Sequence, residues 1–384
     1  MHSPVDQSTG PLHGLRVIEI AALGSAPFAA MMLADAGATV LRINRPGHST
    51  AEAGILGRRR TSISLDLKEP SAKERVLTLI EDCDVLIEGF RPGVMERLAL
   101  GPDQAIERNA SLIYARMTGW GQQGPLATTA GHDINYLALT GTLRSIARRG
   151  ETPVPPLNLV GDYGGGGMLL FGGILTALYE RQTSGRGQVI DAAMVDGASL
   201  LMSGVWNRVA SGDWNSEPGT NSIDSGAPFY NVYRTSDGEY MAVGSIEPQF
   251  YSRLLDGLGV READRPEQHD QSAWETTKNQ FSEIFLSQTR DHWSQVFENL
   301  DACVSPVLSL EEATNAPHIT SRRTLRRIED HIEPAAAPLF SRTPLLQPDS
   351  GPALSPHEDM WIEQFDRHFS GTNTQAHNHN KEVI

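Results

Sequence analysis

The sequence predicts an α/β protein in which a large domain built on an open parallel sheet is joined to a smaller α+β domain. Two observations carry this expectation. Short apolar segments rich in Val and Ile recur through the first half, separated by segments of helical patterning. After about residue 205 the composition turns polar and rich in Gly, Ser and Asn, and a hairpin pattern followed by charged helical sequence comes next. A chain of 384 residues suits about two domains at roughly 100–200 residues each.

LRVIEIAAL, residues 15–23, reads as the first strand, and APFAAMMLADAG, 26–37, as a helix with Pro27 in its first turn and Gly37 past its end. ATVLRIN, 38–44, is the second strand. Strand, helix and strand within about 30 residues make a βαβ unit, which requires parallel pairing. The pattern repeats. Residues 70–82 are helical, DVLIEGF a strand, Val94–Leu98 a short helix and SLIYARMTG, 111–119, a strand. The large domain is therefore expected to be Rossmann-like. Four glycines at 164–167 precede an apolar helix over 168–181, and GRGQVIDAAMVDGASLLM adds a strand and a further helix. YNVYRTSDGEYMAVGS reads as a hairpin turning at Ser236-Asp237-Gly238. The expected division is 1–195 as the first part of the large domain, 196–222 as a linker and 223–320 as the small domain. Residues 321–367 are expected as a return segment completing the large domain, and 368–384 as a flexible tail.

Asp and Glu number 47 against 32 Lys and Arg, a formal charge of -15. That excess argues against a general nucleic-acid binder. No run of about 18 apolar residues is present, so no membrane partner is expected, and the polar N-terminus shows no secretory pattern. Cys83 and Cys303 sit in apolar runs and read as small buried hydrophobes, which makes a reducing cytoplasm the default. His377 and His379 in the tail are read as incidental, and no metal site is expected.

Three groups of arginines stand near strand ends: Arg42 and Arg45; Arg58, Arg59 and Arg60; Arg91 and Arg97. In a doubly wound sheet the carboxyl ends of strands line the ligand crevice, so these side chains are placed to meet a phosphate. Each alone also reads as a solvated surface residue. There is no GxxxxGK[ST] or GxGxxG, so a Walker-type or nicotinamide site is not expected. His132 in GHDINY reads either as a catalytic base or as a core histidine bonded to Asp133 or Asn135. Asp162, just before the apolar helix, reads either as a carboxylate favoured by the helix dipole or as a helix cap. The glycines after it would let a ligand approach the backbone. Glu247 opens a helix with Pro248 in its first turn.

Over more than three quarters of its length, from PLHGLRVIEI to the PHI at 317–319, the chain resembles the class III CoA-transferase (CaiB/BaiF-like) superfamily and, within it, the α-methylacyl-CoA racemase family. LADAGATVLRINRPG, LDLK, DVLIEGFRPGVMERL and GQVIDAAMVDG carry the first resemblance. RMTGWGQQGPLATTAGHDINYLALTG, LNLVGDYGGGG and GSIEPQF carry the second. The resemblance implies a 1,1-proton transfer at C2 of a 2-methylacyl-CoA, with His132 serving one face, supported by Glu247, and Asp162 the other. The coenzyme A contacts it implies are Arg42, Arg45, Arg58, Arg60, Arg91, Arg97, Tyr136 and Gly161. It also implies an interlocked homodimer in which Glu247 of one chain reaches His132 of its partner. No metal or redox cofactor is implied, because the CoA thioester itself acidifies the α-proton. The alternative is a CoA-transferase that uses the carboxylate of Asp162 as nucleophile; GHDINY discriminates, since such transferases typically lack the histidine. Two loops depart from the family pattern, at Gly24-Ser25-Ala26-Pro27-Phe28 and at 57–62, and Asn44 stands where an acidic residue is usual.

Overall fold

The computed structural model describes residues 10–348 apart from Ser49, and leaves the side chains of 50–53 undescribed. The expected tail, with His377 and His379, and the end of the return segment lie outside these residues. The chain forms two compact units. One holds the residues up to 136, then 159–198 and those from 323 on; the other holds 137–158 and 199–322. Segment 137–158 therefore belongs with the smaller unit, whereas the sequence reading kept it in the large domain.

The first unit is built on six parallel strands: β1 (Arg16–Ile20), β2 (Thr39–Asn44), β3 (Thr61–Ser64), β4 (Val85–Glu88), β5 (Ile113–Thr118) and β6 (Gln188–Ala193). Their order is β3-β2-β1-β4-β5-β6. The order reverses between β1 and β4, which opens a crevice at the carboxyl ends of these strands. Five strands match the sequence reading. β3 does not, because TSIS is a short, half-exposed edge strand with no apolar run to announce it.

Alternation along the strands feeds two cores. Ile18, Ile20, Leu41, Ile43 and Leu86 pack under α2 (Pro70–Glu81), whose Pro70 occupies the first turn, where its missing N–H is harmless. Val17, Val40, Val85, Ile87, Ile113 and Ala115 pack under α1 (Ser25–Asp35). At the end of α1 Gly37 takes φ +96°, a left-handed conformation that stops the helix. A helix over Asp133–Leu139, here α3, was not foreseen. The expected apolar helix, α4 (Leu169–Ser184), is preceded by a π-helical stretch, Leu159–Met168, that contains Asp162.

In the second unit β7 (Tyr230–Arg234) and β8 (Tyr240–Gly244) form the expected hairpin, and β9 (Val304–Pro306) extends it to an antiparallel sheet of order β7-β8-β9. The hairpin packs on aromatic residues of α6 (Trp274–Leu286) and α7 (Arg290–Phe297), which follow α5 (Pro248–Gly257) in the chain. Tyr233 stacks on Phe285 at 5.0 Å between ring centroids. The segment read as a linker, 196–222, is helical at its start, over Met194–Leu201 and Ser203–Ser211. Leu200, Leu201 and Trp206 are exposed there.

Candidate active site at the switch point

Two adjoining cavities occupy the crevice of the first unit, sharing Leu23, Gly89 and Phe90. One, of about 610 Å³, is lined by Arg42 and Asn44 of β2, by Arg45 and His48 just beyond it, and by the Ala21–Gly24 turn after β1. The other, of about 270 Å³, is lined by Arg91 after β4, Met117 to Trp120 at the end of β5, and His132 and Tyr136. The first has a cationic rim and the second combines an imidazole with aromatic and apolar wall.

His132 immediately precedes α3. Its backbone N–H donates to Asn135 Oδ1 at 3.0 Å, and its carbonyl accepts from Asn135 N at 2.8 Å. Asn135 thus holds the backbone at the helix entrance. The exposed imidazole stays on the cavity wall, and no hydrogen bond engages its ring among the described residues. The next residue, Asp133, is buried, and its Oδ2 accepts the N–H of Asp162 at 2.8 Å. Asp133 Oδ1 is buried with no hydrogen-bond partner among the described residues. One carboxylate therefore ties the segments carrying His132 and Asp162 together. Gly161 makes the tie possible: a Cβ there would stand 2.5 Å from Asp133 Oδ2. On its other side the Asp162 carboxylate lies against Gly24, where an added Cβ would meet Oδ2 at 3.3 Å. Gly24 has φ +69°, which favours glycine.

Tyr136, on α3, packs edge-on against Trp120 at 4.8 Å and donates its hydroxyl to Gly131 O. Its ring fills space that any side chain at Gly119 would take, since a Cβ there would sit 2.1 Å from Tyr136 Cζ. Burial pushes the Tyr136 hydroxyl above its usual value, and the negative charge of Asp162 adds to this. The phenol serves as wall and, towards Gly131 O, as donor.

The expected ligand-facing role of the glycines after Asp162 is corrected. A Cβ on Gly166 would lie 2.7 Å from Ser25 Oγ and one on Gly167 would lie 2.6 Å from Phe28, while Gly165 abuts Gly197 and Ala198. These glycines let the π-helical stretch pack closely on α1 and on the helix after β6. Gly161 likewise faces Asp133 instead of a ligand.

The arginines separate into two sets. Arg42, Arg58 and Arg60, expected to meet phosphates, are engaged with protein carboxylates. Arg42 pairs with fully buried Glu19, its register partner on β1, and its Nε donates to Asn44 Oδ1 at 3.0 Å. Arg60 NH1 reaches the other oxygen of Glu19 at 3.0 Å. Arg58 bonds Asp35 on α1, Glu333 at 3.3 Å and Pro334 O at 2.9 Å. For Arg42 and Arg60 the cause is Glu19, a fully buried carboxylate that demands cations, and for Arg58 it is the buried carboxylates of Asp35 and Glu333. Burial pushes the Glu19 carboxyl up, with Arg60 and Arg42 pulling the other way. Burial also brings Arg60 down to about 10. Of the three, Arg42 still borders the larger cavity. Arg45 and Arg91, by contrast, are exposed, line the cavities, and make no ion pair among the described residues. Arg97 is exposed beside Gly93.

A second buried set, Glu88 with Arg116, went unrecognised in the sequence. Its signal was a lone charge near the end of an apolar strand, as in VLIE and IYARMT. Glu247 lies in the second unit as the exposed residue ahead of α5; its side chain makes no capping bond, and its charge helps raise the Cys303 thiol.

A doubly wound parallel sheet with cationic, imidazole and carboxylate groups near its switch point defines the class of α/β protein. The chain matches CoA-transferase family III over residues 12–358, and it belongs to that family. It is 48% identical over 87% of its length to α-methylacyl-CoA racemase of Mus musculus, covering 88% of that protein. It is 44% identical over 92% of its length to the Homo sapiens protein of the same name, covering 93% of it. A CaiB/BaiF family protein from Brucella suis superposes with a TM-score of 0.79 over 94% of this chain and all of that one, at 22% identity, and so shares the fold.

Proposed function

We propose that this chain is an isomerase that racemises 2-methylacyl-CoA thioesters at C2 by 1,1-proton transfer through an enolate, with His132 and Asp162 as bases on opposite faces. The observation that carries the reading is His132 itself. An imidazole on the cavity wall, one residue from the carboxylate that holds Asp162, occurs in a chain nearly half identical to α-methylacyl-CoA racemases. The phosphates of CoA meet Arg45 and Arg91, and the acyl end lies along Met117, Trp120 and Tyr136.

The chemistry then follows from the residue types. A thioester α-proton is weakly acidic, so one base must be free to take it while the other, on the far face, holds a proton to return. An imidazole, with a reference value near 6.5, serves either direction near neutrality. The thioester supplies the activation, so the reaction as proposed uses no metal or redox cofactor. We further propose a homodimer, in which Glu247 of the partner subunit supports His132, and a cytoplasmic location in keeping with two unpaired cysteines. No helix of the described residues is long and apolar enough to cross a membrane. Acyl transfer through Asp162 as nucleophile is the second reading, favoured by the family match alone.

The deciding experiment incubates each 2-methylacyl-CoA epimer in deuterium oxide, with chiral analysis and mass spectrometry. Wild type should interconvert the epimers with α-deuterium incorporation. His132→Ala and Asp162→Asn should each stop interconversion, yet each should retain exchange from one epimer, a different one in the two variants. Acyl transfer to an added carboxylate acceptor without α-deuterium in either epimer would overturn the reading.

A further inference from the structure

Arg91 lies on the cavity wall on a loop that has left the sheet, and an exposed loop does not by itself hold a guanidinium still. This loop is held at both ends by one buried ion pair, Glu88 with Arg116. β4 ends at Glu88, which is fully buried. Glu88 Oε2 accepts the N–H of Phe90 at 2.7 Å, a backbone donor that β4 no longer pairs. Its Oε1 accepts from Arg116 Nε at 2.9 Å, and Arg116 is the register partner of Glu88 on β5. The far edge of the same guanidinium grips Glu96, at 2.7 Å and 3.3 Å, on the single helical turn Val94–Arg97. Between the two anchors the chain reverses through Gly93 at φ +80°, and Val94 N–H closes onto Arg91 O at 3.2 Å.

We propose that Glu88 is a positioning residue for Arg91: through Phe90 N–H, and through Arg116 to Glu96, it pre-organises the Arg91 loop to grip a phosphate of the CoA substrate. The proposal rests on the ligand reading above and deepens it. A buried carboxylate between two strands is a weak source of net stability, since its desolvation offsets its pairing. Its geometric effect is definite, because it converts a free strand end into a loop with a fixed exit. Pre-organisation of that kind appears as affinity for the anion, with the proton-transfer step left alone.

The test uses Glu88→Gln, Arg91→Ala and the double variant in the full-length protein. CoA binding is measured by calorimetry, and racemisation kinetics are measured alongside. Glutamine keeps the shape of Glu88 but must present a donor to Arg116 Nε or to Phe90 N–H. Glu88→Gln should weaken CoA binding and raise KM by about tenfold, with kcat changing less than twofold, and Arg91→Ala should weaken binding by roughly ten- to hundredfold. The double variant should bind no more weakly than Arg91→Ala alone. If Glu88→Gln folds poorly, Arg116→Lys, which keeps the charge and loses the fork, should give the same split and the same non-additivity. Additive losses, or a lowered melting temperature with wild-type CoA affinity, would overturn the proposal while leaving the ligand reading intact. Wild-type affinity in Arg91→Ala would overturn both.

Discussion

Gly161→Ala perturbs the link between the two candidate bases without touching either. The new methyl would lie 2.5 Å from Asp133 Oδ2 and 2.8 Å from its carboxyl carbon, so the carboxylate must swing away from the Asp162 N–H it now accepts at 2.8 Å. Losing a hydrogen bond to a buried charged acceptor costs about 1.5–3 kcal/mol. An alanine in a helical stretch returns up to about 1 kcal/mol relative to glycine. The net destabilisation is then about 0.5–3 kcal/mol. If Asp133 sets where the Asp162 carboxylate stands, the bond energy reappears in the rate as a fall in kcat of roughly ten- to hundredfold, with KM little changed. Epimer interconversion followed by chiral chromatography, alongside thermal melting, separates the two effects. A variant that folds, loses the expected stability and yet keeps wild-type kcat would refute the argument that Asp133 positions Asp162.

Two other outcomes follow from the environments of titrating groups. Burial pushes the Cys83 thiol up to about 12, and Cys303 is exposed with its thiol also raised, by partial burial and then by Glu247 and Asp301. A thiol reagent at pH 8 should therefore modify Cys303 slowly in the native protein and Cys83 only after denaturation; mass mapping after a short exposure checks both. In the second unit the Arg290 side chain, with the capping bonds from Ser309, holds the Glu312 carboxyl down at about 2 against an ordinary 4.5. A depressed carboxylate stabilises the fold above pH 4.5, and that stabilisation is lost as the pH falls towards about 2. Carboxyl NMR should show Glu312 titrating in that low range in wild type and higher in Arg290→Ala, though still below the ordinary value because the bonds from Ser309 remain.

Local pattern was enough to announce most of the secondary structure. LRVIEI, ATVLRIN, DVLIEGF and SLIYARMTG read as strands because their apolar content is an intrinsic property of six or so adjacent residues. Pro70 and Gly37 marked helix ends for reasons equally local. The hairpin turn at 236–238 belongs with them. β3 escaped because TSIS lies at a sheet edge, where half-exposure removes the apolar signal. The helix over Asp133–Leu139 escaped because at seven residues it is too short for a period to show.

The candidate site divides along the same line. The residue types at His132, Asp162 and Arg91, and their places after strands, were legible because they follow from chain order. Which arginines face the cavity was not. Arg42 and Arg60 turn to Glu19, and Arg58 to Asp35 and to Glu333, 275 residues away. Those choices depend on strand register and on which carboxylates become buried. The same holds for the glycines after Asp162, which read as a ligand cradle and serve to admit Ser25 and Phe28. Chemical identity is written residue by residue, but the burial that decides whether a charge seeks a ligand or an internal partner exists only once distant segments have packed.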